Sequence, residues 1–229
     1  MNIVVLISAN AEWRTVKMLF PQVQIRNSEM GEWFTREIDF QPVLFFHGGW
    51  GKISAAASAQ YVIDHFAPDL LVNLGTCGGF EGRIAAGTII LVEKTIVYDI
   101  IEQMGDPDEA IADYSTVIDL SWLPSELPGV VKPALLVSGD RDIVAGEIPM
   151  LIDRFEAVAA DWESGAIAWV AHKNRVRLLI LRGVSDVVGG DGGEAYGNFD
   201  LFQQRTDQIM RRLTGELGGW IKAAGGQAS

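Results

Sequence analysis

The sequence predicts an α/β protein: a mostly parallel or mixed sheet held between layers of helices. Three observations predict it. Short apolar runs without alternation recur at residues 3–8, 43–47, 70–75 and 178–184, with similar runs at 89–92 and 134–138. Runs of this kind suit strands covered on both faces. Helical patterns adjoin several of them, and the length of 229 residues suits one domain, 1–229, of the larger α/β kind.

The first run, beginning Met1-Asn2-Ile3, has no basic start and too short an apolar stretch for a signal peptide, so it reads as a buried strand. Residues 12–20 carry Trp13, Val16 and Phe20 near helical spacing. Residues 22–41 differ: Arg36-Glu37-Ile38-Asp39-Phe40 alternates, as a half-exposed antiparallel strand does. A helix over 52–66 places Ile53, Ala56, Ala57 and Tyr61 on one side and ends before Pro68. Residues 105–128 are acidic and contain prolines, which predicts a long loop with room for a short helix. Residues 163–172 form another helix through Ala166, Ile167 and Val170. A last helix over 199–223 carries Phe202, Ile209, Leu213, Leu217 and Trp220 and stops at Gly225-Gly226.

Composition narrows the function classes. The formal charge of −12 repels a phosphate backbone, so nucleic acid is not an expected partner. No stretch reaches the roughly 18 apolar residues of a membrane span. The single cysteine, Cys77, forms no intrachain disulfide, which fits a reducing compartment, the cytoplasm. His47, His65 and His172 lack ligand spacing, so neither a metal nor another cofactor is expected.

Sheets of this type place ligands at the carboxyl ends of their strands. That rule selects Ser8 to Glu12, Gly48-Gly49-Trp50-Gly51-Lys52, Gly75-Thr76-Cys77-Gly78-Gly79, Ser138-Gly139-Asp140-Arg141-Asp142 and Val184-Ser185-Asp186, with Asp161-Trp162-Glu163 before a helix. Carboxylates and glycine turns therefore collect at one rim. The run from Gly75 to Gly79 lets backbone N–H groups approach a ligand. It is neither a P-loop nor a dinucleotide fingerprint. Cys77, small and set among glycines, reads as a buried residue rather than a nucleophile. A carboxylate after an apolar strand, such as Asp186, is poorly solvated and suited to donating a proton, and it equally suits a helix N-cap. Glu163 and Glu12 fit the first turns of helices just as well.

The joint pattern goes further. Gly48-Gly49-Trp50-Gly51-Lys52-Ile53-Ser54-Ala55-Ala56, Val72-Asn73-Leu74-Gly75-Thr76-Cys77-Gly78-Gly79-Phe80, Leu136-Val137-Ser138-Gly139-Asp140, Asp161-Trp162-Glu163-Ser164-Gly165-Ala166-Ile167-Ala168 and Arg182-Gly183-Val184-Ser185-Asp186 follow in order. Together they resemble the purine nucleoside phosphorylase and nucleosidase superfamily, nearest its 5′-methylthioadenosine/S-adenosylhomocysteine nucleosidase branch. The resemblance spans nearly the whole chain. It implies a three-layer α/β/α sandwich around a mixed, largely parallel sheet, a homodimer, and a small-molecule purine nucleoside as substrate.

The resemblance also implies roles. Asp186, with Ser185 beside it, matches the acid that protonates the purine. Glu163 matches the carboxylate holding the ribose hydroxyls, and Glu12 the group that positions and activates water. Thr76, Gly78 and Arg182 match residues around them, and Trp162 the residue packing under the sugar. Protonating the base lets it leave neutral while an oxocarbenium-like sugar forms, with acid and water on opposite faces. Related phosphorylases carry an arginine where this chain has Asn73, and a glycine-arginine pair where it has Glu12, so water is favoured over phosphate as nucleophile.

Three departures bear on the substrate. Trp50 stands where the family usually has a small aliphatic residue near the base and 5′ group. Asp142 and Ile143 replace a segment that carries an aromatic in bacterial relatives. Glycines and acids at 189–197 suggest a mobile lid before Phe199, a candidate pocket wall. The readings open at this point are a nucleosidase for methylthioadenosine or adenosylhomocysteine, a futalosine hydrolase or a phosphorylase, and a nucleoside-binding sensor without turnover. Residues 98–113 are the expected subunit interface.

Overall fold

A computed structural model describes residues 1–225 of the chain. Strand β1 (Ile3–Ile7) is buried throughout and pairs in parallel with β4 (Gln41–His47) and β5 (Leu70–Phe80). Its residues alternate between two cores, as the period of a strand requires. Ile3, Val5 and Ile7 pack with Trp13, Val16, Leu213, Leu217 and Trp220 of α1 (Asn10–Leu19) and α6 (Phe199–Gly225). Val4 and Leu6 pack with Ala55, Ala59, Ile167 and Ala171 of α2 (Gly51–Phe66) and α5 (Ser164–Lys173). That is why the first strand is apolar without alternation: a helical layer covers each face. The expected mixed sheet between helical layers is what the chain forms.

Beyond β4, the antiparallel strands β2 (Arg26–Ser28) and β3 (Gly31–Ile38) end the sheet. The alternating strand expected over 36–40 stops at Ile38. Asp39 and Phe40 form the turn instead, with φ of 47° and 64°. On the other side the sheet closes on itself. Strand β5 pairs with β10 (Arg177–Gly189), β10 with β6 (Ile89–Val97), β6 with β8 (Lys132–Ser138), β8 with β9 (Ala159–Asp161), and β9 with β5 again.

Residues 105–128 hold the short helix for which the sequence left room, and a short strand besides. Asp106 caps α3 (Pro107–Asp113) by accepting from the Asp108 N–H, and β7 (Ser115–Val117) pairs with β6. Helix α4 (Ile148–Phe155) and the short strand β9 lie in a stretch for which no element was expected. At the end of the chain α6 runs through the expected stop at Gly225, and Gly226 lies outside the described residues.

The largest correction concerns the glycine run. Gly75 to Gly79 is the second half of β5, not a turn after it. Gly78 sits between Ala160 of β9 and Asp186 of β10. A Cβ on Gly75 would stand 1.9 Å from the Arg182 guanidinium, and one on Gly79 2.8 Å from Val184. The missing side chains let strands and buried groups close in from both sides. Likewise Ser185 and Asp186 do not follow a strand but lie inside β10. There the register against β5 slips between Val184 and Asp186, leaving Ser185 as the extra residue of a bulge. Bulges re-aim side chains, and this one turns Asp186 toward a cavity.

Candidate active site

The cavity has a volume of about 670 Å³ and opens where β1, β5, β9 and β10 meet the loops before α2, α4 and α6. Of the residues picked out from the sequence, Glu12, Trp50, Thr76, Gly78, Asp142, Ile143, Trp162, Glu163, Ser185, Asp186 and Phe199 all line it. Arg182 is the exception. It is fully buried behind the wall and touches the Asp161 carboxylate rather than the cavity. Its place in β10, among residues packed on both faces, leaves its side chain no route to the open space.

From that position Arg182 organises one wall. Its Nε donates to Asp161 Oδ2 at 2.8 Å and to Ser164 Oγ at 2.9 Å, and its Nη2 donates to Asn73 Oδ1 at 2.7 Å. The Ser138 hydroxyl donates to the other oxygen of Asp161 at 2.6 Å, and Asn73 is held in turn by the Leu6 carbonyl. Burial alone works against the guanidinium charge, yet Asp161, Glu12 and Glu163 together keep Arg182 above its ordinary value.

Glu12 is reached by three donors: the Thr76 N–H at 2.6 Å and hydroxyl at 2.9 Å on one oxygen, and the Ala9 N–H at 3.2 Å on the other. Burial raises its carboxyl, and Arg182 and Thr76 only partly offset this. Glu163 accepts from the Gly51 N–H at 3.1 Å, at the start of α2. Burial first, and the nearby Asp161 second, push Glu163 up to about 8. A carboxylate with so few partners has lone pairs to offer hydroxyl donors of a ligand.

Asp186 stands on the opposite side. The Ser185 hydroxyl donates to its Oδ1 at 2.8 Å, and burial raises its carboxyl despite that bond. The Cys77 thiol is buried, pushed up by burial, and points at the Gly183 carbonyl 3.7 Å away, unlike an activated nucleophile. Among the described residues, no group of three or more histidine, cysteine or carboxylate side chains is arranged to hold a metal ion.

Aromatic side chains wall the rest. The Trp50 and Trp162 rings lie 6.2 Å apart at 43°. Phe199 and Phe202, one turn apart on α6, stack at 6.3 Å. Reading the sequence missed Phe202, although its spacing of three from Phe199 in a helix was a usable signal. Tyr196 was missed inside the glycine-rich segment that had been noted. Its hydroxyl donates to the Ile143 carbonyl at 3.0 Å, which ties that segment to the loop before α4. Arg141, placed at the rim by the sequence but given no role there, is among the described residues the one cationic side chain on the lining and pairs with Glu147 at 3.2 Å.

An α/β fold with a closed sheet and a cavity at its strand rim, lined by carboxylates, has the form of a small-molecule enzyme site. The chain belongs to the phosphorylase superfamily, whose family model matches residues 11–217. It is 28% identical over 188 residues to the 5′-methylthioadenosine/S-adenosylhomocysteine nucleosidase of Staphylococcus saprophyticus, covering 75% of this chain and 80% of that one. To the enzyme of the same name from Halalkalibacterium halodurans it is 25% identical over 199 residues, covering 82% and 86%. Among solved structures, the nucleosidase of S. pneumoniae with a transition-state inhibitor superposes with a TM-score of 0.76 at 21% identity, covering 97% and 99%. The Helicobacter pylori D198N mutant with 5′-methylthioadenosine does so with 0.78 at 16% identity, covering 94% and 97%.

Proposed function

We propose that this chain hydrolyses the N-glycosidic bond of a purine nucleoside of the 5′-methylthioadenosine or S-adenosylhomocysteine type. The observation that carries the choice of water over phosphate is the charge of the cavity. Glu12, Asp142, Asp161, Glu163 and Asp186 line it, against the single cation Arg141, itself paired with Glu147. Arg182 lies behind the wall rather than on the lining, with Nε on Asp161 and Ser164 and Nη2 on Asn73. A dianionic phosphate would meet carboxylates without free donors. A neutral nucleoside and a water would not.

In this reading Asp186, its proton held by burial, donates it to the purine as the bond lengthens, so the base leaves neutral. Glu163 accepts from the ribose hydroxyls and faces the positive charge that grows on the sugar. Glu12, a stronger base for being buried, takes the proton of the attacking water. Trp162 packs under the sugar, Trp50 lies toward the 5′ group, and Phe199, Ile143, Gly78 and Asp142 surround the base. Residues 189–197 act as a lid.

A homodimer is the proposed assembly. Trp50 and Ile53, 60% and 85% exposed, flank the cavity mouth, while Ile101 and Met104, 75% and 97% exposed, follow Asp99, which Lys52 binds. Exposed apolar side chains of this size call for a partner. Ile101→Glu with Met104→Glu should shift the protein to monomer by light scattering. Among the described residues no helix is long and apolar enough to cross a membrane. With one buried thiol, the cytoplasm is the proposed location.

The test is base release from methylthioadenosine, adenosylhomocysteine, inosine and futalosine, with and without phosphate. Phosphate-independent release of adenine supports the reading. Phosphate dependence would turn it to a phosphorylase, release only from futalosine to a futalosine hydrolase, and tight binding without release to a sensor.

A further inference from the structure

One side chain outside the cavity lining touches both parts of the acid's surroundings. Arg205, in the second turn of α6, donates through Nη1 to the Ser185 carbonyl at 3.0 Å and to Glu194 Oε2 at 2.6 Å. Ser185 is the bulge residue that aims Asp186. Glu194 belongs to the segment between the hairpin strand β11 (Gly192–Gly193) and α6. Its own N–H donates back to the Val187 carbonyl at 3.2 Å. The next residue, Ala195, brings its N–H near the Asp186 carboxylate, and Tyr196 closes on Ile143. Gly193 has no room for a Cβ, which would strike the Tyr196 ring at 2.6 Å, so the segment is shaped around that ring. One guanidinium thus holds the bulge from behind and the lid from the side, with the acid between them.

We propose that Arg205 is a positioning residue for Asp186, which with Glu194 links closure of the 189–197 segment to the protonation of the acid. This rests on the reading of Asp186 as the proton donor.

The charges that face Asp186 can be named for each element. The Ser185 hydroxyl comes from β10, the Cys77 thiol from β5, Glu194 and the Tyr196 hydroxyl from the lid segment, and Arg205 from α6. Burial is the leading influence and raises the carboxyl, Ser185 and Arg205 lower it, Glu194 raises it, and the Ala195 N–H of the same segment lowers it by less than Glu194 raises it. Arg205 and Glu194 therefore act on the acid with opposite signs. With the lid closed their charges offset. With the lid drawn away, Glu194 leaves with it and Arg205 stays on Ser185, so the carboxyl falls and its proton is less well kept. Closure would restore the proton where the base is bound.

The experiment titrates the Asp186 carboxyl by carbon-13 NMR, assigned with Asp186→Asn, in the wild type, Arg205→Gln, Glu194→Gln, the double variant and Arg205→Lys. Arg205→Gln is expected to raise the midpoint and Glu194→Gln to lower it, each by about half a pH unit or more. The double variant should return toward the wild type, and lysine should rescue in part. In base release, the alkaline limb of kcat/KM should move with the midpoint, because the protonated acid is the active form. Shifts of the same sign in the two single variants, or none, would overturn the proposal, since a purely structural pair has no reason to give opposite signs. Should Arg205→Gln fail to fold, Glu194→Gln decides alone: a lower midpoint supports the linkage, an unchanged or higher one refutes it. Wild-type protein that releases no base would sink the proposed function, while the carboxyl titration would still decide the linkage.

Discussion

Two walls of the same cavity hold carboxylates in different ways. On the sheet side, Asp161, Glu12 and Glu163 gather round one fully buried guanidinium, and every member of the group is locked by strands or helix starts. On the lid side, Asp186 has a neighbouring hydroxyl, an N–H from the lid segment and the half-buried pair of Arg205 with Glu194. The first wall ties charge to the fold. The second holds a carboxyl away from the buried cation, and burial keeps a proton on it. Losing the cation of the first should cost stability, and losing the acid of the second should cost activity alone.

The sharpest way to break that contrast is Asp186→Asn. The rate of base release should fall by about 10²- to 10⁴-fold, the usual scale for a lost general acid. Stability should not fall, because burial disfavours the ionised aspartate that asparagine replaces. A protein that keeps its rate would remove Asp186 from the chemistry. The counterpart is Arg182→Met. Removing one partner of a buried ion pair strands the other, at about 3–5 kcal/mol, and here the stranded charge is Asp161, with Ser164 and Asn73 each losing a donor as well. Urea unfolding measures this, and adding Asp161→Asn should recover part of the loss. A fully stable Arg182→Met would show that the first wall does not depend on its cation.

Much of this division was legible in the chain and some was not. The two-sided burial of β1 and the helices beside it follows from apolar runs without alternation, while the strand-end rule left Glu12, Glu163 and Asp186 ambiguous and the ordered motifs singled them out, although Asp186 lies inside β10 rather than after a strand. Two things hid the rest. The run from Gly75 to Gly79 has the composition of a turn, yet it continues a strand, because its neighbours on β9 and β10 come too close for side chains. No local pattern reveals that closeness. Arg182 was read as a cavity residue from its place in a motif; only packing shows that the side chain lies behind the wall. Arg205 had no signal at all, since its two partners lie 20 and 11 residues away in the chain.

A smaller effect distinguishes the walls by pH. Glu163 in the folded protein is raised from 4.5 to about 8. The folded state therefore holds a proton that the unfolded chain has already given up between those values. The stability it contributes is present below about 4.5 and is lost as pH rises through about 8. Urea midpoints should decline over that window, and Glu163→Gln should flatten the decline. Ligand hydroxyls that donate to Glu163 favour its ionised form, so binding a nucleoside analogue near pH 7 should release protons. Calorimetry in buffers of different ionisation enthalpy reads that release, and proton uptake instead would place the ligand's hydroxyls elsewhere.

The smallest expected effect tests where the substrate ends. Trp50 is 60% exposed and its ring faces Trp162 across 6.2 Å. If it lies toward the 5′ group, Trp50→Ala removes one aromatic contact, about 0.5–1.5 kcal/mol, or about two- to tenfold in KM for methylthioadenosine. The group it touches is remote from the bond that breaks and binds alike in ground and transition states, so kcat should hold. Inosine, with only a hydroxyl at that end, should lose less. An equal loss on both substrates would mean that Trp50 acts on the sugar through Trp162. No loss on either, with a change in the monomer–dimer balance, would assign its exposed face to the subunit interface and leave the 5′ end of the cavity to be formed by other residues.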